Sequence, residues 1–246
     1  MGTLATLAQR WFGHADSIGH RPATREQLFI DQLTIAGRDA GVILDVGAQH
    51  GQNALLYHRD FPRARIFAFE PAPDNLARTR AEIAGKDRIE AIGAAVGDSV
   101  GEIELHLNSH DGTHSRLPIG DTRYWEQPVQ ALCTAAVPAT TIDAFLAERG
   151  IADVDILAMD IQGGELPALR GARGALEAGR IGLIAIEVLF KPIYRDVPLF
   201  WEIGALLDRA GYSLFGLYDC VYAAGNPRVL SWADALFVGP RHQKLS

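Results

Sequence analysis

Five short apolar runs recur through the middle of this chain, each followed by a stretch long enough for a helix. They are VILDVG at 42–47, RIFAFE at 65–70, IEAIGAAVG at 89–97, DILAMD at 155–160 and IGLIAIE at 181–187. Their residues are apolar continuously rather than alternately, which is how strands covered on both faces read. Helical stretches are expected at 51–60, 73–84, 141–149, 164–178 and 198–210. Strand–helix alternation of this kind restricts the chain to an α/β fold, a parallel sheet wrapped by helices on both faces.

Two regions break the alternation. GEIELHL (101–107) and PVQALCTAAV (128–137) are strand-like and flank a polar loop from Asn108 to Gln127, which reads as a β insertion between the third and fourth core strands. Near the C-terminus, YSLFGLYD (212–219) and DALFVG (234–239) suit an antiparallel pair closing one sheet edge, giving seven core strands in all. Ahead of the sheet, Leu4, Leu7, Ala8, Trp11 and Phe12 repeat at helical spacing. A second amphipathic run begins at Thr24, a natural cap, and ends near Gly41. The expected organisation is an N-terminal helical extension over 1–40 and one domain over 41–246.

Thirty acidic residues stand against 23 basic ones, for a net charge of −7, and no Lys/Arg run occurs. That composition lacks the electrostatic footprint of a nucleic-acid binder. Cys133 and Cys220 form neither a disulfide framework nor a zinc pattern and suit a reducing compartment. The opening MGTLATLAQRWFG has no basic segment followed by a long apolar one, and no run reaches the roughly 20 apolar residues of a membrane span. A cytoplasmic protein without nucleic-acid or membrane partners is expected.

The first core strand ends in Asp45-Val-Gly-Ala-Gln-His-Gly51. A glycine-rich turn from strand into helix lets backbone approach a ligand at the carboxyl edge of the sheet. Its Gly-x-x-x-Gly spacing is neither the Gly-x-Gly-x-x-Gly of a dinucleotide site nor a P-loop, which disfavours an NAD-dependent oxidoreductase. The second strand ends in Phe69-Glu70-Pro71, and a carboxylate there can accept from both hydroxyls of a ribose. Glu70 could also cap the helix that follows. Asp160 and Glu187 end the fourth and fifth strands on the same edge, where an acid closing an apolar strand is costly unless it faces a polar site.

In their order, DVGAQHG, FAFEPAPDNLARTR, AAVGDSVGEIEL, TTIDAFL, DILAMDIQGGELPALRGARGAL and IAIEV resemble the FkbM-type methyltransferases over residues 40 to 240. Gln49 stands where that family usually has Asn. Residues 158–165, AMDIQGGE, replace its usual Lys-Ile-Asp-Val-Glu-Gly-Ala-Glu. The resemblance implies a Rossmann-like class I methyltransferase sheet, S-adenosylmethionine as cofactor, and O-methylation of sugars or natural products. Carried onto this sequence, the cofactor set is Asp45, Gly47, Ala48, Gly51, Asn53, Glu70, Pro71, Ala94, Ala95 and Asp160. Small residues at Gly93, Ala94 and Ala95 leave room for adenine, and Asp98 either accepts from its amine or sits in a turn.

Methyl transfer needs acceptor, methyl and sulfur in line, with water excluded. A neutral alcohol also gains from a positioned base. Asp160, His114 and Glu187 are the candidates for the catalytic group, the histidine because it titrates near neutral pH. Glu165 could serve as an anchor for the cofactor or as a helix N-terminal acid. Carboxylates here could also bind Mg²⁺, whereas Gly112 weakens a metal reading of His110, Asp111 and His114. Specificity is expected in 108–130, in 189–198 and in the N-terminal helices. Tyr124, Trp125, Tyr194 and Trp201 either stack on a sugar ring or pack.

The expected acceptor is a hydroxyl of a saccharide or a glycosylated, polyketide-like molecule. Two other readings stay open, a methyltransferase for an amine or protein side chain and a nucleoside-binding module without catalysis. DIQGG occupies the place of the Asn/Asp-Pro-Pro-aromatic motif of enzymes that methylate base nitrogens. The apolar N-terminal helix could support a homodimer.

Overall fold

A computed structural model describes residues 23–121, 128–223 and 228–243. The first described element is helix α1 (Arg25–Ala36), with Thr24 Oγ1 accepting from the Gln27 N–H at 3.2 Å and Gly37 ending it at φ +76°. The alternating core follows as β1 (Val42–Val46), α2 (Gln52–Asp60), β2 (Arg65–Phe69), α3 (Pro73–Glu82) and β3 (Ile89–Ile92). Next come β4 (Ala95–Val96), β5 (Gly101–Asn108) and β6 (Ala131–Thr140), then α4 (Ile142–Glu148), β7 (Val154–Met159), α5 (Glu165–Arg170) and α6 (Arg173–Glu177). The chain closes through β8 (Ile181–Leu189), α7 (Phe200–Arg209), β9 (Ser213–Tyr222) and β10 (Leu230–Val238).

Seven strands form the main sheet in the order β3-β2-β1-β7-β8-β10-β9, and β10 alone runs against its neighbours. This is the expected mostly parallel sheet with an antiparallel C-terminal edge. The order reverses between β1 and β7, and such a switch point opens a crevice at the carboxyl ends of the strands. Successive residues of β1 face opposite cores. Ile43 packs with Tyr57, Phe61 and Leu28 under α1 and α2, whereas Leu44 and Val46 pack with Phe69, Phe145 and Leu157 on the other side. Phe145 meets Phe67 and Phe69 edge-on, at centroid distances of 5.2 and 4.9 Å.

The structure refines two expectations. The single run 89–97 divides at Gly93, where a Cβ would lie 2.7 Å from Leu76, and its second half joins another sheet, β4-β6-β5. The insertion is therefore a small sheet standing over the carboxyl edge. The expected helix 164–178 is two short helices broken at Gly171. There a Cβ would lie 2.0 Å from the carbonyl oxygen of Gly97, and Asp143 caps α6 by accepting from Gly174 and Ala175 N–H at 2.7 and 2.9 Å. Leu4 to Phe12 lie outside the described residues, as do Tyr124 and Trp125. Among the described residues no helix is long and apolar enough to cross a membrane.

Two glycine substitutions separate close approach from helix propensity. Gly171→Ala forces backbone apart and should cost upwards of about 2 kcal/mol, or roughly 4–8 °C in Tm. Gly204→Ala, mid-helix in α7 with only Phe200 within 4 Å, should stabilise by about 0.5–1 kcal/mol. Thermal melts of the two variants check both signs.

Candidate active site at the carboxyl edge of the sheet

The turn after β1 is shaped by contact as much as by conformation. Gly47 has φ +90°, and a Cβ there would lie 2.0 Å from the Asp160 carbonyl oxygen, so the turns after β1 and β7 touch through backbone. Asp160 N–H donates to Val46 O at 3.0 Å across the same seam. Gln49 adopts φ +51°, which turns its N–H toward the next strand. Ala48 and Gly51 are buried, and Gly51 opens α2 at φ +85°. These two residues build the turn, while Gly47 lines the cavity beside it.

That cavity encloses about 700 Å³ including its mouth. Glu70 and Pro71 form one wall, Ala94, Ala95 and Val96 another, and Asp160 to Gln162 a third. Asp111, His114 and Arg116 of the insertion cover it. Glu70 is 5% exposed; its Oε2 accepts from Gln49 N–H at 2.9 Å and its Oε1 from Ala72 N–H at 2.8 Å. It thus secures the start of α3 and still borders the cavity. Burial pushes its carboxyl up to about 7 despite those two bonds. Gly93 turns toward Leu76, and Asp98 approaches Arg116 at 3.8 Å.

A second cavity of about 380 Å³ lies under α1 on the other side of Asp160. Arg25, Asn53, Asp45, Tyr57 and Asp234 line it, and Asp160 lines both cavities. Asp45 is 2% exposed and its Oδ2 has no hydrogen-bond partner. Burial pushes this carboxyl up to about 7 against the pull of Arg25. Arg25 Nη2 donates to Asn53 Oδ1 at 3.0 Å.

Gln162 ties the turn after β7 to its neighbours. Its Nε2 donates to Asp160 Oδ1 at 2.7 Å and to Glu187 Oε2 at 2.9 Å, and its Oε1 accepts from Tyr194 OH at 2.7 Å. Its carbonyl accepts from Ser115 Oγ at 2.6 Å, and its backbone sits at φ +54°. Burial raises Asp160 and raises Glu187 well above the carboxylate range, with Asp160 beside Glu187 adding to the shift. Glu165 accepts from Ile161 N–H at 2.9 Å, fixing the same turn from behind, and burial pushes it up to about 7.

The insertion is knotted down by Asp111. Its carboxylate takes Gln49 Nε2 at 3.1 Å, His50 Nε2 at 3.0 Å and Arg78 Nη1 at 3.0 Å, and its carbonyl takes Asn75 Nδ2 at 3.1 Å. Burial alone would raise this acid, but His50, Gln49 and Arg78 together hold it below its ordinary value. Asp111 is thus a clamp, and among the described residues no group of three or more His, Cys, Asp or Glu is arranged to hold a metal ion. His114 borders the cavity, but its Nδ1 accepts from Asn108 N–H at 3.1 Å. Burial lowers its pKa, and a ring that accepts at Nδ1 carries its proton on Nε2. His114 thus stands at the edge of the cavity with Nδ1 occupied. Tyr194 is fully buried, its hydroxyl on Gln162 and on the Thr113 carbonyl, while Trp201 is exposed beside Phe190 and Phe200.

Residues 45–214, which include all of this edge but Arg25 and Asp234, match the methyltransferase FkbM domain. The chain belongs to the FkbM methyltransferase family. It is an S-adenosylmethionine-dependent methyltransferase. It is 27% identical over 194 residues to the 2-O-methyltransferase NoeI of Sinorhizobium fredii, covering 73% of this chain and 76% of that protein. It is 28% identical over 214 residues to the 31-O-demethyl-FK506 methyltransferase FkbM of Streptomyces tacrolimicus, covering 76% and 78%. A solved structure from Clostridium thermocellum overlays 89% of this chain on 97% of its own, with a TM-score of 0.52 at 10% identity, a likeness of fold.

Sequence reasoning missed the hub at Gln162, the Asp111 clamp, Arg25 and Asp234. Gln162 lay in plain view between an acid and two glycines. Asp234 opens the apolar run DALFVG, and an acid beside an apolar run is close to the signal that singled out Asp160 and Glu187.

Several acids of this methyltransferase sit above their ordinary values, which sets a sign for stability against pH. Asp45, Glu70 and Glu165 titrate near 7 when folded and near 4 when unfolded. Between those values the folded chain binds more protons, so its stability rises as pH falls from about 7 toward 4.5. The ligand-free protein should melt several degrees higher at pH 5.5 than at pH 8. Asp45→Asn with Glu70→Gln should flatten that profile, as differential scanning calorimetry would register.

Proposed function

We propose that this methyltransferase O-methylates a hydroxyl of a saccharide or a glycosylated, polyketide-like small molecule. The observation that carries the reading is the carboxyl pair Asp160–Glu187, held by Gln162 where the two cavities meet. The two relatives, a 2-O-methyltransferase and a 31-O-demethyl-FK506 methyltransferase, support an oxygen acceptor.

The residues present suit S-adenosylmethionine. Each Glu70 oxygen accepts one backbone N–H and keeps a lone pair for a ribose hydroxyl. Ala94 and Ala95 leave space for the adenine beside it. Across Asp160, the unpartnered Asp45 Oδ2 can accept from the cofactor's ammonium, and Arg25 with Asn53 can meet its carboxylate. The bound cofactor supplies a methyl carbon made electrophilic by its sulfonium.

In this reading Asp160 accepts the acceptor hydroxyl's proton as its oxygen bonds to carbon, and Glu187 shares the proton afterwards. Gln162 keeps both carboxyls aimed, and the Nε2–H of His114 orients an oxygen of the bound molecules. The insertion and the 191–195 segment, joined by Gly120 N–H to Ile193 O and Arg195 N–H to Pro118 O, exclude water from above.

Two substitutions test this division of labour. Glu70→Ala should weaken binding of S-adenosylmethionine and S-adenosylhomocysteine at least about tenfold in calorimetry, a loss of roughly 1.4 kcal/mol or more. Unchanged affinity would remove the ribose role. Asp160→Asn should cut kcat by about 10²-fold or more in a labelled-methyl assay across sugar and macrolide hydroxyl acceptors. Activity confined to amine acceptors would refute the oxygen assignment.

A further inference from the structure

The cavity under α1 carries more negative charge than the residues around it balance. Asp45 of β1, Asp160 after β7, Glu187 of β8 and Asp234 of β10 lie on one face of four adjacent strands, the face whose lower positions are Ile43, Ala158, Ala185 and Leu236 of the α1-side core. Asp234 pairs in register with Glu187, where Cβ atoms stand about 4.5–5.5 Å apart and like charges repel. Asp160 follows Met159, the partner of Ile186, and so flanks Glu187 from the other side. Asp160, Glu187 and Asp234 form a row.

From the other elements, Asp219 of β9 adds negative potential at Asp234 and Arg25 of α1 offsets it. Arg25 is exposed and already bonded to Asn53. The buried, unpartnered Oδ2 of Asp45 lines the same cavity. Nothing in the packing requires an acid at 234, since the next residues on that face of β10, Leu236 and Val238, are plain core.

The charged form of such a row is unfavourable until a cation completes it. Methyl transfer changes the cofactor's charge by one unit. The carbon–sulfur bond breaks with its electron pair left on sulfur, the methyl joins the acceptor oxygen, and the acceptor's proton passes to Asp160. The sulfonium becomes a neutral thioether. We propose that Asp234 is a specificity-determining residue that reads this charge, drawing in the sulfonium form and releasing the neutral product. The inference rests on the cofactor placement proposed above, across Asp160.

Calorimetry on the whole protein tests it with three probes: S-adenosylmethionine, sinefungin, which carries an ammonium in place of the sulfonium, and S-adenosylhomocysteine. Both cationic probes should bind about tenfold more tightly than the thioether, the order expected for one added charge near a partly screened acid. Asp234→Asn should shrink that preference to about two- or threefold and raise the Tm of the ligand-free protein. Asp234→Glu, which keeps the charge, should keep the preference. Equal or tighter binding of the thioether by the wild type, or a preference untouched in Asp234→Asn, overturns the inference alone. Binding of none of the three overturns the cofactor placement and the inference with it.

Discussion

The backbone contact between Gly47 and the carbonyl of Asp160 is the constraint on which the rest of this edge depends. A single Cβ at position 47 would drive the turns after β1 and β7 apart, because it would fall on the Asp160 oxygen. With glycine there, two strand ends converge at the switch point and Asp160 faces a cavity on either side. The β1 turn also presents the Gln49 N–H to Glu70, so the second strand's acid is fixed by the same loop. One missing side chain thus sets the spacing of two carboxyls, Asp160 and Glu70, contributed by two strands.

Charge is concentrated here at a cost to stability. Asp45, Glu70, Glu165 and Asp234 are all displaced upward by burial, and few cations lie near enough to relieve them. A fold assembled for stability alone would place amides or apolar groups at these positions. The main sheet offsets the cost elsewhere, through two apolar layers that take alternate residues of each central strand.

Much of this fold was legible because parallel strands buried on both faces leave continuous apolar runs: four of the five runs are core strands at the expected places, and the fifth is one over its first half. The division at Gly93 and the break at Gly171 were hidden. Both follow from a backbone or side chain distant in sequence approaching the glycine, against Leu76 in one case and Gly97 in the other. In the site, acids that close apolar strands stood out because such residues need a polar setting. Gln162 and Asp111 did not, because their importance lies in bonds to partners 25 to 62 residues away. His114 showed a separate limit: residue type suggested a base, and only the Asn108 N–H at its Nδ1 reveals which nitrogen holds the proton.

The Asp111 knot has a consequence for how relatives of this enzyme can diversify. The residue belongs to the insertion that covers the cavity, yet Gln49, His50, Asn75 and Arg78, which grip it, belong to the turn after β1 and to α3. Roof and floor are therefore one mechanical unit. An insertion transplanted from another family member without a matching acid would loosen the floor beneath it. New acceptor ranges are then reached more readily by changing the insertion's outer positions than by exchanging it whole.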